Sequence, residues 1–160
     1  MKKLVVYYSY TGNTKKIVEM IKNKLDCDIL ELKPSTPFST DYDEVVSEYQ
    51  NNSIYNKEVP IKDINVNLDD YDEIIVGTPV WWYTISPVVS TFLKKYDLSN
   101  KTIYPFATNA GWLGKTFKDI EKLCPDSKIE NEMNIVFESY SDKLKTTEKE
   151  LNDWINSIEK

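Results

Sequence analysis

The sequence predicts a three-layer α/β fold, in which a doubly wound parallel sheet lies between two layers of helices. Two observations support this prediction: short strands that are apolar on both faces, and amphipathic helical segments that alternate with them. The alternation occurs five times in 160 residues, and no repeat or Gly/Ser-rich linker interrupts it. That length suits one domain, and we expect a single domain covering residues 1–160.

The first part of the chain shows two strands with a helix between them. Leu4–Tyr8 is a short β-branched and aromatic run typical of a buried strand. Ile17–Leu25 places apolar residues at helical spacing, and Asp28–Leu32 is predicted as the second strand. From Lys33 to Asp70 the pattern is weaker; the segment Tyr42–Tyr49 suggests one helix there.

The second part has clearer signals. Glu73–Gly77 is a continuous apolar run and is predicted as the third strand. Ser86-Pro87 predicts a helix start, because Ser is a favoured N-cap and Pro is favoured in the first turn. The remaining predicted elements are strands at Thr102–Thr108 and Ile135–Phe137, a helix at Phe117–Leu123 and a C-terminal amphipathic helix at Leu144–Ile158.

The composition excludes several classes of function. The chain has 26 acidic and 20 basic residues, a net charge of −6, and no histidine or arginine. Without histidine, Ser-His-Asp or Cys-His catalysis and histidine metal sites are excluded, so we expect no catalytic residues and no metal site. A net negative charge without arginine argues against nucleic-acid binding. No apolar run is long enough to cross a membrane. Cys27 and Cys124 match no metal-ligand spacing and are expected to be buried thiols, so we expect a cytoplasmic protein.

Ligands of open parallel sheets bind beyond the carboxyl ends of the strands, and three loops there have unusual compositions. The first, Ser9–Thr14, leads from a strand into a helix, whose N–H groups and positive dipole end suit a phosphate. The hydroxyls of Ser9, Thr11 and Thr14 can add hydrogen bonds, and Gly12 allows a close backbone approach. An ordinary capped helix start fits the same composition, so the residues alone leave both interpretations open.

The second loop, Pro79–Ile85, contains Trp81, Trp82 and Tyr83 in succession. Aromatic rings at the carboxyl edge of a sheet can stack on a flat heterocycle. The alternative is that one of the two tryptophans belongs to the core.

The third loop, Thr108–Gly114, combines small residues with two glycines and Trp112. Small residues let backbone amides reach the edge of a ligand, although the glycines alone could serve the strand-to-helix turn. Gly111–Thr116 resembles the end of a Walker-A loop, but Asn109 stands where that motif needs a glycine. A triphosphate-binding loop is therefore disfavoured.

These segments together resemble a known family. Ser9–Thr14, placed directly after the first strand, resembles the phosphate loop of flavodoxins. Gly77–Trp82, the Ser86-Pro87 helix start and the Thr108–Gly114 loop resemble the isoalloxazine-binding segments of a flavodoxin-like subfamily. The resemblance covers the whole chain and is weakest across residues 33–70. It implies a five-stranded flavodoxin-like sheet of order 2-1-3-4-5 and non-covalent binding of FMN.

The resemblance also implies three groups of cofactor-binding residues. The phosphate group would be held by Ser9, Thr11, Gly12, Asn13 and Thr14. One side of the flavin ring would be lined by Pro79, Val80, Trp81, Trp82 and Tyr83. The other side and the pyrimidine edge would be met by Thr108, Asn109, Ala110, Gly111, Trp112 and Gly114.

The function that the resemblance implies is electron transfer between redox partners, in which FMN performs the chemistry and the protein tunes it. An acidic surface would steer the protein towards basic patches on those partners, and we expect a monomer or weak dimer. Two alternatives stay open. One is a small NAD(P)H-dependent FMN or quinone reductase, whose phosphate loop is similar. The other is a flavodoxin-like binding module without flavin.

Overall fold

The computed structural model describes residues 2–36, 59–81, 83–139 and 141–159. Strands and helices alternate along the chain as predicted; the helix suggested at 42–49 lies outside the described residues. The strands are β1 Lys3–Tyr7, β2 Asp28–Glu31, β3 Glu73–Trp81, β4 Thr84–Ile85, β5 Thr102–Asn109, β6 Lys128–Ile129 and β7 Met133–Val136. The helices are α1 Asn13–Lys22, α2 Pro87–Lys95, α3 Thr116–Leu123 and α4 Glu148–Glu159, with a 3₁₀ turn at Leu68–Asp70.

The strand order confirms the predicted sheet, with two additions. The sheet runs β2-β1-β3-β5, and the fifth place beside β5 is shared by β6 and β7. The strand predicted at Ile135–Phe137 corresponds to β7, which pairs with the end of β5, and the first addition is β6, which pairs with the start of β5. The interruption between β6 and β7 has a local cause: Asn131, between the two, adopts a left-handed φ of 49° that extended backbone cannot continue.

The second addition is β4, which pairs antiparallel with the end of β3 through Trp81 opposite Thr84. β3 is longer than predicted, because its pairing with β5 continues to Pro79 and its pairing with β4 continues to Trp81. The hairpin formed by β3 and β4, with Tyr83 in its turn, extends beyond the carboxyl edge of the sheet.

Apolar side chains of the central strands point alternately to two cores, as the period of a strand requires. Val5 and Ile75 pack on the face that α1 and α4 cover. Leu4 and Ile74 pack on the face that α2 and α3 cover. Each of these four side chains is fully buried, which stabilises the fold by about 1.5–3 kcal/mol per side chain. The three-layer prediction is confirmed.

The helix starts at the carboxyl edge follow from local chemistry. At α2, the Ser86 hydroxyl accepts the Val89 N–H at 3.3 Å and Pro87 occupies the first turn, as predicted. The Thr78 hydroxyl accepts the Ser86 N–H at 3.1 Å, which fixes the entry of the chain into α2. None of the helices among the described residues has the length and apolar character needed to cross a membrane.

Candidate functional site

The first of the three predicted loops contacts both of the others. The Tyr10 and Trp81 rings meet edge to face, with centroids 5.6 Å apart. The hydroxyls of Thr14 and Thr108 lie 2.7 Å apart and are buried. Because Trp81 ends β3 and Thr108 lies near the end of β5, these contacts join the start of α1 to both neighbouring loops.

The second and third loops contact each other at the turn of the β3–β4 hairpin. The Tyr83 carbonyl accepts the Lys115 N–H at 2.7 Å. A Cβ at Gly114 would lie 2.3 Å from that carbonyl oxygen and 2.4 Å from the Tyr83 Cβ. Gly114 also has a left-handed φ of 58°, so glycine is the residue that fits this contact without displacement. All three predicted loops therefore lie together at one edge of the sheet.

The start of α1 is open and lacks acidic residues. Its N-cap, Gly12, has a φ of 102°, and apart from its chain neighbours no described residue has an atom within 4 Å of the position that a Cβ would occupy. The Ser9 hydroxyl accepts the Lys15 N–H at 3.2 Å, while Thr11 and Gly12 are exposed. The first N–H groups of a helix have no intrahelical partner and lie at the positive end of its dipole. This arrangement can bind an anionic group.

A fourth segment, which sequence analysis did not assign to the site, borders this helix start. The Asn13 side-chain amide donates to the Ser141 carbonyl at 3.0 Å, and the Lys16 ammonium donates to the Asp142 carbonyl at 2.9 Å. Both acceptors are backbone atoms, so no composition signal could have identified the segment. Asn13, predicted to hold a phosphate, thus also fixes α1 to its neighbour.

The aromatic residues of the site fall into two groups. Trp81 is buried among core residues and meets the rings of Tyr8 and Tyr10 edge to face, so Trp81 belongs to the core. Tyr83 is 58% exposed and Trp112 is 59% exposed, which makes them the exposed large apolar side chains of the described part. Pro79 and Val80 are half-buried, and Trp82 lies outside the described residues.

In the third loop, a side chain sets the turn. The Asn109 side-chain oxygen Oδ1 accepts the Gly111 N–H at 2.8 Å, and the Asn109 side-chain amide donates to Asn134 Oδ1 at 2.6 Å. Gly111 has a φ of 119°, and a Cβ at this position would have no atom of another described residue within 4 Å, its chain neighbours aside. With Ala110 half-buried and Gly111 exposed, the backbone edge of this loop is accessible.

Comparison with known proteins identifies the family. The flavodoxin family profile matches residues 2–158. The chain belongs to the flavodoxin family. A protein from Bacteroides eggerthii assigned to the flavoproteins is 27% identical, with 98% of this chain and 97% of that chain covered and a TM-score of 0.78. No curated protein matches the chain.

Two further solved structures are similar to this flavodoxin-family chain. A flavoprotein in complex with FMN from Lactobacillus acidophilus is 26% identical, with 83% of this chain and 91% of that chain covered and a TM-score of 0.64. A flavodoxin bound to FMN from Fusobacterium nucleatum shares the fold, at 15% identity, 99% and 97% coverage and a TM-score of 0.56.

One buried carboxylate of this flavodoxin-family chain escaped sequence analysis. Asp119, in the first turn of α3, is 1% exposed and accepts a hydrogen bond from the Thr84 hydroxyl of β4. Its other oxygen, Oδ1, has no hydrogen-bond partner among the described residues. The available signal was a charged residue between Phe117 and Ile120 on the apolar face of a short helix. For all the residues above, contact with a cofactor stays a prediction.

Proposed function

We propose that this chain binds FMN non-covalently where the three loops meet and transfers electrons between redox partners. The observation that carries the proposal is the contact among three loops at the carboxyl edge of the sheet, which together carry an exposed helix start and two exposed aromatic rings. The flavodoxin family and its FMN-bound members support FMN as the cofactor.

The phosphate subsite fits a dianion held by neutral donors. Thr11 and Gly12 are exposed at the start of α1, and the described residues leave open space beside Gly12, so a phosphate can approach the first backbone N–H groups. The Thr14 hydroxyl is buried against Thr108, which suits it to fixing the helix start. We therefore assign the phosphate contacts chiefly to Thr11, Gly12 and the backbone.

The ring subsite fits a flat heterocycle. The exposed rings of Tyr83 and Trp112 offer stacking surface, and the accessible backbone around Gly111 offers hydrogen bonds to a polar ring edge. When bound, FMN supplies the redox chemistry. The chain's residues orient the ring, exclude water from it and set the charge around it.

The partners we propose carry basic patches. The chain's net charge is −6, and an acidic protein is attracted over long range to basic surfaces. Long-range attraction raises the association rate more than it raises the affinity, which suits a protein that must leave its partner after each transfer.

The test is a visible spectrum of the purified chain after FMN is added and excess removed, with the Thr11→Asp variant beside Thr11→Asn. Two unit charges about 4 Å apart repel by roughly 4 kcal/mol at an effective dielectric of 20. Even a third of that weakens binding about tenfold, so Thr11→Asp should lose FMN while Thr11→Asn retains it.

Three results would contradict the proposal. A colourless wild-type chain would refute FMN binding, and equal retention by both variants would refute the phosphate subsite. Steady oxidation of NADH or NADPH by the pure holoprotein, with no added reductase, would replace the carrier function with that of a reductase.

A further inference from the structure

We infer that Asp119 is a positioning residue: through its hydrogen bond with Thr84 it holds the β3–β4 hairpin, and thereby Tyr83, in place at the proposed FMN site. The expected effect on FMN binding rests on the proposed function. That Asp119 holds the hairpin rests on the contacts within the chain alone.

The burial of Asp119 needs an explanation. Its carboxylate is 1% exposed, next to Phe117 and Ile120, and one oxygen lacks a hydrogen-bond partner among the described residues. A buried charge costs several kcal/mol in desolvation, and an apolar residue could fill the same space at lower cost. What the carboxylate provides, and an apolar side chain cannot, is an acceptor for the Thr84 hydroxyl.

The residue beside Thr84 has a conformation that must be held. Tyr83 has a φ of 69°, the left-handed region, which costs a non-glycine residue about 1–2 kcal/mol. The other non-glycine residues with positive φ in the described part are Asn100 and Asn131, and asparagine tolerates this conformation. Such backbone strain persists only where the surroundings fix it.

Besides the pairing of Thr84 with Trp81, two contacts fix the turn, and both come from the same end of α3. The Lys115 N–H binds the Tyr83 carbonyl at 2.7 Å, and Asp119 binds the Thr84 side chain. Lys115 and Asp119 are four positions apart, one helical turn, and the Asp119 N–H itself donates to the Lys115 carbonyl at 2.8 Å. The hairpin turn is thus attached to one turn of one helix, with its tyrosine ring left exposed.

The experiment compares Thr84→Val and Asp119→Ala with the rescue variant Thr84→Ser, which keeps a hydroxyl. Thr91→Val is the matched control: Thr91 is 5% exposed, as Thr84 is, and its hydroxyl donates to the Val59 and Pro87 carbonyls away from the site. Two quantities are measured for each full-length variant. These are the FMN dissociation constant with the bound-flavin spectrum, and the exchange rate of the Lys115 amide without FMN.

We expect Thr84→Val and Asp119→Ala each to raise the FMN dissociation constant about tenfold. A hydrogen bond to a charged group changes an equilibrium constant by roughly a factor of ten. They should shift the flavin spectrum and speed Lys115 exchange, while exchange of the Lys16 amide in α1 stays unchanged. Because both changes remove the same hydrogen bond, the double variant should bind FMN as tightly as the single variant with the lower affinity. Thr84→Ser should restore both quantities.

Wild-type values for Thr84→Val and Asp119→Ala would overturn the inference. So would an equal loss in Thr91→Val or no rescue by Thr84→Ser. If the wild-type chain binds no FMN, the proposed function fails. The Lys115 exchange rates still decide whether Asp119 holds the hairpin.

Discussion

At Gly114, adding a single side-chain carbon would force apart the second and third loops of the candidate site. A Cβ there would lie 2.3 Å from the Tyr83 carbonyl oxygen, 2.4 Å from its Cβ and 2.7 Å from its Cα. All three atoms belong to the backbone or its first side-chain carbon, so no rotamer change can make room. In Gly114→Ala, the hairpin must move away from the start of α3.

The cost of Gly114→Ala has two parts. The left-handed φ of 58° costs alanine about 1–2 kcal/mol. Relieving the overlap costs about 1–3 kcal/mol, as overpacking does elsewhere. We therefore expect the free energy of unfolding to fall by about 2–5 kcal/mol, a large share of the roughly 5–15 kcal/mol typical of a domain.

Urea unfolding, followed by circular dichroism, measures that loss, and an FMN titration measures its effect on the site. Gly111→Ala serves as the control for stability, because in the described part of the chain its Cβ would meet no atom within 4 Å and the variant carries the strain of its φ of 119° without an overlap. Gly114→Ala should also speed exchange of the Lys115 amide, which Gly111→Ala leaves unchanged. An unfolding midpoint and FMN affinity equal to those of the wild type would refute the contact between the loops.

Two further measurements test buried titratable groups. Burial, together with donation to Glu73 at 2.9 Å, raises the pKa of Tyr104 to about 12. Its contribution to stability is therefore complete below the ordinary value of 10.0 and is lost as pH rises towards 12, a fall that should be shallower in Tyr104→Phe. Burial raises the pKa of the Cys124 thiol to about 11, whereas Cys27 is only half-buried. Iodoacetamide should therefore alkylate Cys27 first, and mass spectra showing Cys124 modified first would contradict the burial.

The central strands were predictable because the sheet buries them on both faces. β1, β3 and β5 read as continuous apolar runs, which is what burial on both sides requires. The additional strand β6 was not predictable, because it has two residues and no pattern of its own. The position of β6 is set by pairing with a distant segment, which the local sequence does not reveal.

The candidate site shows the same division between local and distant information. Composition identified the three loops, but the partner of Thr14 is Thr108, 94 positions away, and no local rule selects it. The roles of the tryptophans depended on where β3 ends. With the strand predicted to stop at Gly77, the side of Trp81 could not be assigned; pairing with Thr84 extends β3 and places Trp81 in the core.

Three departures from ordinary folding chemistry lie at one hairpin. Tyr83 is left-handed without being glycine or asparagine, Gly114 lies against its backbone, and Asp119 is buried with one oxygen unpaired among the described residues. At the opposite edge of the sheet the buried Glu73 faces the Lys3 ammonium at 3.1 Å and the Tyr104 hydroxyl at 2.9 Å.

The Glu73 carboxylate has a cationic partner in Lys3, which offsets its desolvation, whereas the strain at Tyr83 and the unpaired oxygen of Asp119 reduce stability. Sequences that fold well keep local and global preferences consistent, and they depart from this chiefly where function requires it. Part of this cost lies at the hairpin that presents Tyr83, which is where we propose that the flavin ring binds.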